Sequence, residues 1–235
     1  ATYERFGRLD VLVNNAGGMF RRRTLSADGI EMTFALNHLA YFLLSGLLLP
    51  ALSAAGRARI VNVASEAHRG VALRFDDLQS QRGYVGGWPV YKRSKLANLL
   101  FTYELARRIE GGPVSVNALH PGFVATDIGV RNKLLPGWLW RPVSLAAISP
   151  EDGGKTSVHV AASREVEGVH GKYFVKCRPA QSSPESYDRE AAARLIQRYK
   201  VGAWTAIPTM VVDFLANPKL AEYDLSSIQR MSGGG

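Results

Sequence analysis

Short apolar runs of strand length alternate along the chain with longer stretches in which apolar residues recur at helical spacing, and this alternation constrains the fold more than any other feature. It is the pattern of βαβ units, whose helical crossovers cover both faces of a parallel sheet. Residues 9–13, 59–63, 114–119 and 171–176 read as strands. Residues 29–52, 89–110, 151–162 and 185–198 read as helices. The second helix carries Leu96, Leu99, Leu100, Tyr103 and Leu105 on its buried side and stops at Gly111, Gly112 and Pro113. Residues 121–150 are punctuated by Gly129, Pro136, Gly137 and Pro142, with Trp138 and Trp140 among them, and read as an irregular apolar flap. An α/β fold is the expectation.

With 235 residues, 46% of them hydrophobic, the chain can bury one substantial core, so one main domain is expected. Its single cysteine, Cys177, excludes an intramolecular disulfide and a multi-cysteine zinc site; it reads as a packed thiol in a reducing, cytoplasmic setting. The net charge of +9 raises nucleic acid or an anionic membrane as partners. The cations are scattered, however, and the run Arg21, Arg22, Arg23 has no interleaved aromatics, so it reads as a solvated loop and no nucleic-acid partner is expected. The longest apolar stretch, residues 39–52, contains Ser45, Gly46 and Pro50 and falls short of the roughly 18 residues of a membrane span. It reads as a buried helix. The chain opens at Ala1 with neither a methionine nor a basic leader, which suggests a natural N-terminus further upstream.

Tyr91 and Lys95 are four apart in the second helix and share one face, one turn apart. A phenol titrates near pH ~10, and a neighbouring ammonium favours its ionised form, which is how a tyrosine becomes an acid–base group near neutrality. Around this pair stand Asn14, Asn15, Ala16 and Gly17 after the first strand, Ser65 after Val61, Asn62, Val63 and Ala64, and Pro121 and Gly122 after the third strand. In a parallel sheet the C-terminal strand ends share one edge, where ligands bind, so these loops are expected to converge on one cleft. Each residue also has a plain reading: Asn15 as a turn cap, Asn37 as a satisfied helix polar group, Ser65 as a strand-end hydroxyl.

The stretches LDVLVNNAG, FALNHLAYFLL, RIVNVASEAH, YKRSKLANLLFTYELARR, VNALHPGFVATDI and GKYFVKC, in this order, make residues 1–198 resemble the short-chain dehydrogenase/reductase family, and most closely its retinol-dehydrogenase-like branch. The resemblance implies a Rossmann-like, doubly wound parallel sheet and hydride transfer between NADP or NAD, with NADP favoured, and an apolar alcohol, aldehyde or ketone. It implies that Tyr91 is the acid–base group, that Lys95 binds the nicotinamide ribose and lowers the phenol, that Ser65 binds the substrate oxygen, and that Asn37 holds a water leading to Lys95. It places the cofactor against Asn15, Ala16, Gly17, Val63, Tyr91, Lys95, Pro121, Gly122, Val124 and Thr126. His68 and His120 match positions flanking the site, and the five scattered histidines lack the paired spacing of a metal centre. Trp138, Trp140, Leu134 and Leu135 read as a substrate flap or as core. The family also implies a homo-oligomer packed through the Tyr91 helix.

Two departures stand out. The strand and glycine-rich turn that seat a pyrophosphate on a helix N-terminus are absent, so the first βαβ unit is expected to be missing. Residues 199–235, beginning YKVGAWTAIP and containing YDLSS, have no place in the sheet and resemble an internal stretch of the acyl-CoA synthetase, or adenylate-forming, family. The competing readings are therefore an NAD(P)-dependent oxidoreductase, a non-catalytic fragment or interaction module, and an acyl-activating fragment.

Overall fold

The computed structural model describes residues 6–122 and 148–199. Its centre is a pair of parallel strands, β2 (Ala58–Val63) and β3 (Val114–His120), whose small and β-branched side chains suit a sheet covered on both faces. β1 (Val11–Asn14) pairs parallel with β2 on one side, and β4 (Tyr173–Val175) pairs parallel with β3 on the other. β5 (Arg178–Ala180) closes the far edge as an antiparallel partner of β4, giving the order β1-β2-β3-β4-β5.

Helices lie on both faces. α1 (Met32–Ala54) contributes Phe42, Leu49 and Leu52, and α2 (Trp88–Arg108) contributes Phe101, Leu105 and Ala106, to a core with Ala58, Ile60, Val114 and Val116. On the opposite face α3 (Pro150–Ala162) sets Val160 against Val61, Val63, Leu119 and Phe174. Ser149 caps the start of α3 by accepting from the Asp152 amide at 3.0 Å. Arg59, reaching out of β2, caps its end by donating to the carbonyls of Val160 at 3.3 Å and Ser163 at 2.8 Å. α4 (Arg189–Tyr199) lays Ala191, Ala192 and Leu195 on Leu96 and Leu100 of α2. This is the expected Rossmann-like doubly wound sheet. Among the described residues β1 is an edge strand: Leu12 and Asn14 face α1, while Val11 and Val13 are exposed on the α3 side.

A buried polar line crosses the α1/α2 face. The Asn14 amide donates to Ser45 Oγ at 3.0 Å and to Asn62 Oδ1 at 2.8 Å. Asn62 in turn donates to Thr102 Oγ1 at 3.0 Å, and Thr102 to the Asn98 carbonyl at 2.7 Å.

Several expectations change. β5 follows a two-residue turn in which Lys176 and Cys177 take positive φ, 50° and 61°, although neither is glycine or asparagine, the residues that signal such a turn in sequence. Cys177 therefore sits half-buried at a hairpin tip, its Sγ 3.9 Å from Thr156 Oγ1, and not in the core. α1 runs well beyond residues 39–52 at its start and is, by length and composition, apolar enough to cross a membrane, contrary to the sequence reading. Within the fold it is amphipathic in use: Tyr41, Phe42, Ser45, Leu49 and Leu52 are buried, and Leu43, Leu44 and Leu47 are exposed. The helix read at 185–198 is a 3₁₀ turn, Pro184–Tyr187, followed by α4. Val124, Thr126, Leu134, Leu135, Trp138, Trp140 and the tail from residue 200 lie outside the described residues.

Candidate active site

The C-terminal ends of β1, β2 and β3 open onto the first turns of α2, and there the chemistry-bearing residues meet. Lys95 is buried and its Nζ donates to the Val63 carbonyl at 2.9 Å, with the Tyr91 ring centre 5.6 Å away. The Ser65 hydroxyl faces Tyr91 closely enough to draw its phenol downward. Ser65 Oγ also accepts from the Ala67 amide at 3.2 Å, capping the short 3₁₀ turn Glu66–His68, which leaves its hydroxyl proton free to donate onward. Trp88 opens α2 and stacks on the Tyr91 ring, centroids 5.5 Å apart and planes 16° from parallel, with about half of its own surface exposed.

Asn37 lies in a π-helical turn, Ala35–Leu39, that interrupts α1. The wider turn aims its amide across to the β1 loop and α2. Its Oδ1 accepts from the Gly18 amide at 2.7 Å, and its Nδ2 donates to the Gly18 carbonyl and to Ser94 Oγ, both at 2.9 Å. Both amide hydrogens are thus used in bracketing the β1 loop to α2, while its backbone carbonyl accepts from Asn98 Nδ2 at 2.8 Å. Asn15, Ala16 and Gly17 are exposed in that loop. A Cβ on Gly17 would stand 3.1 Å from Asn37 Oδ1 and 3.6 Å from Lys95 Nζ, so glycine lets the backbone approach the pair. Pro121 and Gly122 follow β3 at the same edge, Gly122 with φ +98°. The site residues expected from sequence that are described all fall at this edge; Val124 and Thr126 lie outside the described residues.

Burial sets the electrostatics. It pushes the Tyr91 phenol above its usual value, with the Ser65 hydroxyl pulling the other way. The sequence expectation was that Lys95 would hold the phenol low. In the structure desolvation prevails, and it also pushes Lys95 itself down to about 8. Between about 8 and the ordinary 10.5, an unfolded chain binds a proton at Lys95 that the folded chain does not, so stability rises with pH across this window. Urea denaturation is expected to show that rise, and Lys95→Met to remove it, a difference of about 3 kcal/mol; equal pH slopes in both proteins would contradict it.

Sequence reasoning missed three neighbours. Trp88 carried no signal beyond its place three residues before Tyr91. His68 was seen only as a flanking position. Tyr41, one turn after Asn37, is 1% exposed, lies with its ring centre 5.8 Å from Lys95 Nζ, and has a hydroxyl with no hydrogen-bond partner among the described residues. An unsatisfied buried hydroxyl costs stability, so Tyr41→Phe is expected to stabilise the fold by about 1 kcal/mol, read as a higher melting temperature. A drop of that size would mean that the hydroxyl is bonded in solution.

Comparison with known proteins gives the family. A family model described as short chain dehydrogenase matches residues 1–134. The chain belongs to the short-chain dehydrogenase family. Among curated members it is 46% identical over 191 residues to Retinol dehydrogenase 14 of Homo sapiens, covering 80% of this chain and 56% of that protein. It is 43% identical over 188 residues to Retinol dehydrogenase 12 of Mus musculus, covering 80% of this chain and 59% of that protein. The chain thus spans somewhat over half the length of these dehydrogenases. Among solved structures, an uncharacterized protein from Mycobacterium paratuberculosis superposes with a TM-score of 0.63 at 30% identity, covering 83% of this chain and 66% of that one.

Proposed function

We propose that the protein is an NAD(P)-dependent oxidoreductase that interconverts an apolar alcohol with its aldehyde or ketone, NADP being the favoured cofactor. The observation that carries this reading is the meeting of Tyr91, Ser65 and Lys95 at the C-terminal edge of the sheet. The residues present fit the nicotinamide half of such a cofactor. Lys95 spends one of its three N–H groups on Val63, and Gly17 keeps the neighbouring backbone free of a side chain. Asn15, Ala16, Val63, Pro121, Gly122, Val124 and Thr126 are the further contacts we assign.

Bound nicotinamide would give or take the hydride. In the reducing direction Tyr91 donates its hydroxyl proton to the substrate oxygen, and burial, by keeping the phenol protonated, favours that role. Ser65 donates a second hydrogen bond to the same oxygen. Lys95 holds the ribose and carries positive charge toward the developing alkoxide. In the oxidising direction the alcohol proton moves to Tyr91 in its phenolate form, the form that burial disfavours.

A second reading, an interaction module without turnover, is favoured by the exposed Val11 and Val13 on β1, an edge strand among the described residues. Titration with NADPH and, separately, NADH separates the two, with nicotinamide fluorescence and the protein melt as readouts, since a ligand of the folded state raises its stability. A rise in melting temperature followed by NADPH-dependent loss of apolar aldehydes is expected. A folded protein with no shift for either nucleotide would overturn the oxidoreductase reading in favour of the module. By sequence resemblance we assign residues 1–198 to the dehydrogenase region and 199–235 to a different origin.

A further inference from the structure

We propose that His68 is a positioning residue for this reaction: it locks the backbone of Ser65 so that the hydroxyl meets Tyr91. The inference rests on the role assigned to Ser65 above and extends it to a residue that does not face the substrate.

His68 is fully buried behind the site. Its Nδ1 lies 2.6 Å from the Ser65 carbonyl, and its Nε2 lies 3.0 Å from the Ser183 amide nitrogen. A backbone amide can only donate, so Nε2 must carry a lone pair. The ring proton is then on Nδ1 and points at Ser65, which fixes a single tautomer. The same carbonyl accepts from the His68 backbone amide at 3.1 Å, so one side chain closes both halves of the turn that presents Ser65.

Ser183 belongs to a segment with its own anchors. Ser182 Oγ is bonded to Tyr103 Oη at 2.7 Å and to Ser186 Oγ at 2.6 Å. Two further ties run in parallel: Tyr173 Oη donates to Glu66 Oε1 at 2.8 Å, and Arg69 donates to the Gln181 carbonyl at 2.6 Å. The Tyr173 ring meets the imidazole edge-on at 5.4 Å. His68 thus connects the catalytic turn to a segment anchored on Tyr103 of α2. Among charged and titratable groups, Glu66 and Arg69 on its own turn, Glu185 after β5 and His120 at the end of β3 bear on it, and burial pushes the imidazole toward the neutral form this geometry requires.

Two substitutions split the imidazole. Asn places an amide N–H where Nδ1 stands and restores the bond to Ser65; Gln places an amide oxygen where Nε2 stands and restores the bond to Ser183. His68→Asn is expected to keep kcat within about twofold while the melting temperature falls. His68→Gln is expected to keep the melting temperature while kcat falls about tenfold, with KM for NADPH unchanged. Loss of kcat in step with melting temperature in both variants, or full kcat in His68→Gln, would overturn the proposal. In the unsubstituted protein, nitrogen NMR should find Nδ1 protonated and Nε2 bare at neutral pH; the other tautomer or a charged ring would also overturn it. If the unsubstituted protein turns over no carbonyl, the oxidoreductase reading fails by itself. The Tyr91 phenol, followed by carbon NMR of labelled tyrosine, then reads the Ser65 contact directly: its midpoint should rise in His68→Gln and stay put in His68→Asn, and an unmoved midpoint in both would sink the positioning role.

Discussion

Tyr91→Phe is expected to lower turnover of an apolar aldehyde by about a thousandfold, the scale of a lost general acid, while NADPH affinity stays within about twofold. The ring would remain stacked under Trp88 and packed near Lys95, because phenylalanine keeps the plane that makes those contacts. Only the hydroxyl and its interaction with Ser65 are removed. The comparison with Lys95→Met is informative, since that change should weaken NADPH binding as well as turnover. Activity that survives Tyr91→Phe would remove the phenol from the reaction and leave the cluster without a proton donor of suitable reach.

Gly87→Ala is expected to cost about 4 kcal/mol or more, seen as a large drop in melting temperature, because two penalties coincide. Gly87 has φ +79°, and a Cβ there would sit 2.0 Å from the Phe20 carbonyl oxygen, a backbone atom that cannot swing away. The residue is also where α2 begins, one position before Trp88 and four before Tyr91, and the chain it meets is the end of the loop that carries Gly17 and Gly18. Weaker nucleotide binding is therefore expected even under conditions where the variant remains folded. Gly83→Ala makes the control: it shares a positive φ but meets nothing within 4 Å, so it should lose only the backbone penalty of about 1 kcal/mol. Equal losses for the two would show that the Phe20 contact is not what demands a glycine at position 87.

What the sequence made legible was whatever is local and periodic. Tyr91 and Lys95 share a helix face by spacing alone, and the apolar runs of β2 and β3 could be little other than buried strands. Asn37 is different. Its position could be assigned only through resemblance, because the π turn that aims its amide arises from packing between α1, the β1 loop and α2 and leaves no pattern in the chain. His68 and Ser183 meet across more than a hundred residues, and nothing in either neighbourhood announces the other. β5 escaped notice because three residues including Pro179 look like a turn, and because the actual turn uses Lys176 and Cys177 at dihedrals usually reserved for glycine. The lowered phenol expected from Lys95 failed for a plain reason: sequence shows that two groups are neighbours, not how dry their surroundings are.

The line of amides from Asn14 through Asn62 to Thr102 bears on how evenly the site can be built. Asn14 lies directly opposite Asn62 in the paired strands. A slip of one residue would turn every side chain of β1 to the other face, taking Asn14 out of reach of Asn62 and Ser45 and leaving their buried polar atoms unmatched. The line therefore acts as a gauge that sets the strand ends flush, and the last link, through Asn98 to the Asn37 carbonyl, carries the same setting into the helix layer. The loops holding Gly17 and Ser65 start from ends whose heights are fixed before any ligand arrives, so the spacing between their functional atoms is a property of the sheet's alignment and survives changes in the loops themselves.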